Sequence, residues 1–479
     1  MVFSSLVFLF LFLPLLIISY LIFSYKKKIH IMNLVLLVFS LIFIFWGSGK
    51  DIIVLITIIV VNFFCGLFIF KSTNQFTRKL FLIFSITVSI GMLFFFKYSL
   101  FFAQNAFYVL DWLNITWDIP EQINSIILPL GISFYTFQAL SYTIDVYYNK
   151  VEETKNFIDF SLYVSFFPQL IAGPIVRYRD INEQIKDRHT NYNRIYSGTV
   201  RFVMGLAKKV LLANTVATAA DSIFGLEMSQ IDTPLAWLGI LAYSLQIFLD
   251  FSAYSDMAIG LARIFGFELL ENFNFPYIAT TVQDFWRRWH ISLSSWIRDY
   301  LYIPLGGNRK GKARTYLNLL ITFFLCGLWH GANWTFIVWG LWHGVFLILE
   351  RTKIGVVMRK VPKSFRRIYV LVQVAIGWAI FRSDTLTFAL RYIKRLFVPT
   401  KAYGELKIIP SEFYQNDVVI LTIISVLSSV GVFVIIKNYC QRKKGLYLIA
   451  FQFSLLLVFI ITIMKLYTGG YNPFIYFRF

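Results

Sequence analysis

Apolar runs long enough to cross a bilayer follow one another along nearly the whole chain, and the loops between them are short and basic. Inside hydrocarbon every backbone N–H and C=O must be paired within the protein, which leaves only helices and closed barrels. Runs of about 20 apolar residues suit helices, whereas barrel strands alternate over about 10. They lie at 2–23, 31–48, 52–70, 79–98, 124–147, 157–175, 200–220, 234–254, 315–349, 366–382, 416–436 and 445–466. This predicts an all-α, polytopic integral membrane protein of about 10–12 membrane-crossing or re-entrant helices with interfacial helices beside them. Hydrophobic residues make up 58% of the chain, against about 45–50% in a soluble domain.

Charge sets the expected topology. Lys26, Lys27, Lys28 and His30 follow the first run, which places that loop in the cytoplasm and the N-terminus outside. The same run has no basic segment before it and no A-x-A-like site after it, so it reads as a retained helix and not a signal peptide. Alternation then puts Lys71, Arg78 and Lys79 inside and the loop 101–123, with Asp111, Asp118 and Glu121 but no Lys or Arg, outside. Basic clusters at 177–209, 287–314 and 351–367 also read as cytoplasmic. The net charge of +20 is thus spread between spans, which fits topology signals against anionic lipid and does not call for nucleic acid. Cys65, Cys326 and Cys440 are isolated, so neither a disulfide framework nor a metal site is implied. The chain reads as one membrane domain over 1–479. Peripheral scaffold helices occupy 1–98, a core at 125–349 admits polar residues, and 366–479 holds C-terminal helices and an aromatic tail.

Within that core, His330 stands in the apolar stretch Cys326-Gly327-Leu328-Trp329-His330-Gly331-Ala332-Asn333-Trp334. A titratable group at bilayer depth is costly and marks a cavity, a path or a reacting group, so His330 is the leading catalytic candidate. Leu128 to Gln138 places Pro, Gly and Gln138 in one helix, and Phe166 to Pro174 does the same with Gln169. Such residues make either tightly packed kinks or a lined cavity. From Trp286 to Tyr300 the aromatic and aliphatic residues recur every three or four positions, an interfacial amphipathic helix with His290 at the edge of its apolar arc. Arg287 and Arg288 face away, toward lipid phosphate or the phosphates of a cytoplasmic donor. His343 is 13 residues beyond His330, about 20 Å along a continuous helix, and reads as structural; His30 and His189 sit in basic loops.

Several of these segments together resemble one family. Phe8-Leu9-Phe10-Leu11-Phe12-Leu13-Pro14, the Leu128-to-Gln138 and Pro168-to-Pro174 segments, Asp284-Phe285-Trp286-Arg287-Arg288-Trp289-His290, Tyr302-Ile303-Pro304-Leu305-Gly306-Gly307 and Leu328-Trp329-His330-Gly331 are similar to the membrane-bound O-acyltransferases, in the bacterial alginate O-acetyltransferase branch. The resemblance implies a helical funnel through a bacterial plasma membrane, with an acyl group passing from a cytoplasmic thioester to an acceptor outside. It implies that His330 is the essential histidine and that His290 lines the same tunnel. The implied donor substrate is acetyl-CoA, with no bound cofactor. The implied recipients are an extracellular serine-hydrolase-type acetyltransferase partner and an exported polysaccharide. The ending Tyr471 to Phe479 resembles family tails in which a tyrosine carries the acyl group, here Tyr476, although such aromatics also form interfacial belts.

Acyl transfer to a hydroxyl needs a base and an oxyanion stabiliser, and an imidazole with pKa near 6.5 is mostly neutral at neutral pH. His330 is therefore expected to activate the hydroxyl, with His290 and Asn333 orienting the thioester and Trp329, Gln138 and Gln169 lining the path. The alternative is a transporter or flippase of a glycan or lipid intermediate, which also uses broken helices and buried polar groups, but the chain shows no repeated halves.

Overall fold

The computed structural model describes residues 1–25, 28–401, 416–432, 439, 445–469 and 471–475. Among these residues every regular element is helical. Seven stretches are long and apolar enough to cross a membrane: Phe8–Tyr25, Ile29–Lys71, Gln75–Trp112, Tyr192–Phe224, Thr233–Ile264, Lys363–Arg382 and Tyr447–Tyr467. The protein is a multi-pass, all-helical membrane protein. Ile29–Lys71 is itself two helices, Ile29–Ser48 and Ile52–Lys71, turned at Gly49–Asp51. The remaining apolar runs appear as shorter pieces, among them Ile132–Tyr147, Phe157–Ser165, Gly311–His330 and Trp334–Leu349.

Two local expectations need correction. The segment 101–123 is not a loop throughout, because helix Gln75–Trp112 continues for 38 residues, roughly 57 Å at the helical rise. Residues 101–110 contain no Gly or Pro to stop it, and it ends only before Asn114, at φ 57°. Pro129 and Gly131 do not kink a helix either. Gly131 takes a left-handed conformation at φ 76° and Ile132–Tyr147 starts after it. A Cβ on Gly131 would lie 2.6 Å from the Leu170 carbonyl oxygen, so the two broken segments meet there.

The chain divides into two compact units, Met1–Thr199 with Ala258–Leu270, and Val200–Met257 with Glu271–Phe479. In the first, apolar packing alone cannot discriminate helix neighbours in lipid, and buried polar groups supply the register. Asn62 on Ile52–Lys71 accepts from Ser85 Oγ at 2.7 Å and Thr143 Oγ1 at 2.7 Å and donates to Ser89 Oγ at 2.9 Å. It thereby ties three helices. Arg188 donates to Asn33 Oδ1 at 2.6 Å and Tyr20 Oη at 3.1 Å, and Asn33 donates to Asp159 at 2.7 Å.

In the second unit, helices Gly311–His330 and Trp334–Leu349 cross at very short range. Ideal Cβ atoms on Gly327 and Gly340 would lie 2.3 Å from the Phe336 carbonyl oxygen and 2.1 Å from that of Phe323. The obstruction is backbone, which cannot swing aside. Gly340→Ala is expected to cost at least about 1–3 kcal/mol and to lower the melting temperature in detergent. Gly91→Ala, on a helix where the added Cβ meets nothing within 4 Å, is the control expected to leave melting unchanged or slightly raised. Equal melting of both variants would refute the crossing as a constraint.

Candidate functional site

Helix Gly311–His330 stops on its histidine because the chain must turn there. Gly331 is extended, and a Cβ on it would lie 2.2 Å from the Phe336 ring. Asn333 then caps the next helix by accepting the Thr335 N–H at 3.0 Å, while its Nδ2 donates to the Asp384 carbonyl at 3.0 Å. The Asn333 side chain is thus engaged with backbone at the helix start. His330 is 5% exposed and meets Trp329, Trp339 and Phe381 edge-on, with ring centres 4.9, 4.9 and 5.4 Å away. It lines a cavity with Ile247, Phe251, Trp289, Trp339, Trp378 and Phe381. The cavity has about 10 Å³ of space, enough for about one water.

His290 arrives by a different break. The helix expected to run unbroken from Trp286 to Tyr300 is instead Val282–Arg288 and Ile291–Ile297, with His290 between them in the left-handed region at φ 44°, ψ 56°. For a residue with a Cβ this costs about 1–3 kcal/mol. What holds it is Asn272, which lies far from the break in sequence. Its carbonyl accepts the Ile291 N–H at 2.9 Å, and its Oδ1 accepts the Ser292 N–H at 3.3 Å and Ser292 Oγ at 2.9 Å. Tertiary hydrogen bonds therefore override a local pattern that is helical throughout.

Asn272 also settles the state of the imidazole. Its Nδ2 donates to Ser255 Oγ at 3.1 Å, and the backbone donor at Ser292 fixes Oδ1 as the acceptor. His290 Nδ1, 3.1 Å from Oδ1, must then carry the proton, leaving the lone pair on Nε2. Burial pushes the His290 pKa down to about 3, so the ring is neutral and basic in form across the physiological range.

The structure brings His330, His290 and Trp329 together. The Trp329 ring is 4.9 Å from His330 and 6.2 Å from His290, and Phe251, a cavity wall, is 4.6 Å from His290. His343 is nearer than a continuous helix would allow, since the chain breaks at Gly331, and Trp339 contacts both it and His330. His343 Nδ1 accepts from Trp286 Nε1 and Gln373 Nε2, each at 3.3 Å. Arg288 is paired with Asp284 at 2.9 Å and donates to the Asn274 carbonyl, whereas Arg287 is exposed. Gln138 and Gln169 belong to the first unit and are fully buried. Gln169 Nε2 donates to the Tyr163 carbonyl at 2.6 Å, and the Gln138 amide has no partner among the described residues. Tyr476 lies outside the described residues. Sequence reasoning missed Asn272 and the cage of Phe251, Trp339, Trp378 and Phe381. The only local trace of Asn272 is an amide among aromatics in Asn272-Phe273-Asn274-Phe275.

A family model described as the membrane-bound O-acyltransferase family matches residues 15–390. A probable alginate O-acetylase of Azotobacter vinelandii is 37% identical across the full length of both chains. Another from Pseudomonas aeruginosa is 42% identical, covering 83% of this chain and 75% of its own. A peptidoglycan O-acetyltransferase of Helicobacter pylori is 35% identical, covering 82% of this chain and 79% of its own.

The depressed His290 pKa makes folding sensitive to acid. An unfolded histidine takes up a proton below about pH 6.5, while folded His290 resists until about pH 3. Between those values the unfolded state binds more protons, so stability falls as pH falls, by up to about 1.4 kcal/mol per pH unit. His290→Asn, whose side chain tolerates the same left-handed backbone, is expected to flatten this slope between pH 6.5 and 5 in detergent denaturation. An unchanged slope would mean that His290 is protonated in the fold.

Proposed function

The chain belongs to the membrane-bound O-acyltransferase family, and we propose that it passes an acetyl group from cytoplasmic acetyl-CoA through the membrane for O-acetylation of an exported or cell-surface polysaccharide. Family membership makes it an O-acyltransferase. The observation that carries the finer reading is the pair of buried histidines beside one small cavity, His330 on its wall and His290 across Trp329. The names of the relatives from Azotobacter and Helicobacter support a glycan acceptor.

In the proposed reaction the hydroxyl oxygen attacks the thioester carbonyl carbon, a C–O bond forms and the C–S bond breaks. The hydroxyl proton passes to a neutral imidazole and then to the departing thiolate, so the ring is restored. His330 is the base. His290, held by Asn272 with Nε2 unprotonated, is placed to steer the proton or orient the reacting groups. Arg287, exposed on the helix before His290, is the better candidate for the donor's phosphates, since Arg288 is committed to Asp284. Tyr476 remains the proposed acyl relay, and a serine-hydrolase-type partner outside the membrane the proposed recipient.

Vesicles supplied with labelled acetyl-CoA on the cytoplasmic face, together with the partner, should label external glycan. His330→Ala is expected to cut transfer about 10²–10⁴-fold at normal abundance, and a wild-type rate would end its assignment. Arg287→Ala should raise KM for acetyl-CoA with little change in kcat, because it contacts the donor away from the reacting bond. An unaltered KM would return Arg287 to the lipid surface.

A further inference from the structure

Lys209 and Asp250 form an ion pair at 2.8 Å with side chains 4% and 3% exposed. Each lies on a helix long and apolar enough to cross the membrane, Tyr192–Phe224 and Thr233–Ile264. Charges buried on apolar helices are costly and are kept for a task, and the histidine chemistry uses neither of them. What the pair holds is the segment Tyr471–Ile475. Lys209 Nζ donates to the Pro473 carbonyl, and Asp250 Oδ2 accepts the Ile475 N–H at 2.8 Å. Lys209 also donates to Asn214 Oδ1 at 2.9 Å, and Asn214 Nδ2 donates to Asn472 Oδ1 at 3.1 Å. Farther out, Tyr471 Oη donates to Asp221 at 2.6 Å, a carboxylate already paired with Arg382 at 2.8 Å. The Phe474 ring packs on Tyr254 with centres 5.0 Å apart.

Both charged groups take main-chain partners, so the socket recognises the course of the backbone as well as its side chains. Its place in the second unit is specific. Asp250 stands between Ile247 and Phe251 on one helix, three residues after the first and one before the second, and both line the histidine cavity. Phe251 is also the ring against His290.

We propose that Lys209 and Asp250 are positioning residues that dock the segment Tyr471–Ile475 at the edge of the acyl-transfer cavity, making this segment a working part of the site. The inference rests on the acyltransferase reading for its functional half and on geometry alone for the docking.

The test uses the full chain with Cys65, Cys326 and Cys440 replaced and Ile475→Cys as reporter, since Ile475 is 3% exposed. The comparison variant adds Lys209→Met with Asp250→Leu. Removing both charges together leaves no lone ion in the membrane and preserves the fold, which gel filtration and helical circular dichroism would verify. The Ile475→Cys thiol is expected to react with maleimide at least about tenfold faster in that variant, because local release governs access. Acetyl transfer in the same preparations should fall about 10–100-fold, the usual scale for displaced reacting groups. Equal labelling rates would overturn the socket, and faster labelling with undiminished transfer would overturn its part in the reaction. Should the parent protect the thiol, the double variant expose it and neither transfer acetyl, the docking stands and the acetyl-CoA reading fails.

Discussion

Water is absent from the bilayer core, so a helix can break there only where protein supplies partners for the freed backbone. His330 and His290, two of the three histidines in the second unit, sit at helix breaks whose freed backbone is satisfied in this way. The chain stops at His330 and restarts behind Asn333, whose side chain takes the Thr335 amide. It turns left-handed at His290 and restarts behind Asn272, whose carbonyl and amide oxygens take the Ile291 and Ser292 amides. Two asparagines thus make two interruptions affordable, and each interruption releases an imidazole from the regular face of a helix into an aromatic enclosure.

That enclosure sets imidazoles among apolar rings. Trp329, Trp339 and Phe381 present their edges or faces to His330 without offering it a charge. Burial disfavours the charged form of a buried imidazole such as His290, and the cavity that His330 lines has room for about one water. The close glycine crossing of Gly327 and Gly340 brings Trp339 beside the histidine, so helix packing and site geometry share one origin.

The class of fold was legible because hydrophobic run length is a direct demand of the bilayer. His330 and His290 were legible as costly residues in apolar context, and Trp329 as a neighbour in the same motif. Other features depend on contacts between residues far apart in the chain, which periodicity does not encode. Asn272 acts on His290 from 18 residues away, and a helical spacing from Trp286 to Tyr300 conceals the turn it imposes. The Pro129–Gly131 segment misled in the opposite sense, since Gly131 precedes a helix that was read as running through it. Its left-handed backbone and its approach to Leu170 are visible only once the chain is folded.

The docked segment also has a bearing on biogenesis. Ile475 meets Asp250 across 225 positions of sequence, and Pro473 meets Lys209 across 264. At about 5–20 residues per second of synthesis, Lys209 and Asp250 are made roughly 10–50 s before the residues they hold. Through that interval the ion pair must be kept by its own partners and by Asn214. The socket therefore waits for residues made 225 to 264 positions after the pair that receives them, which ties its filling to a late stage of synthesis relative to the helices that form it.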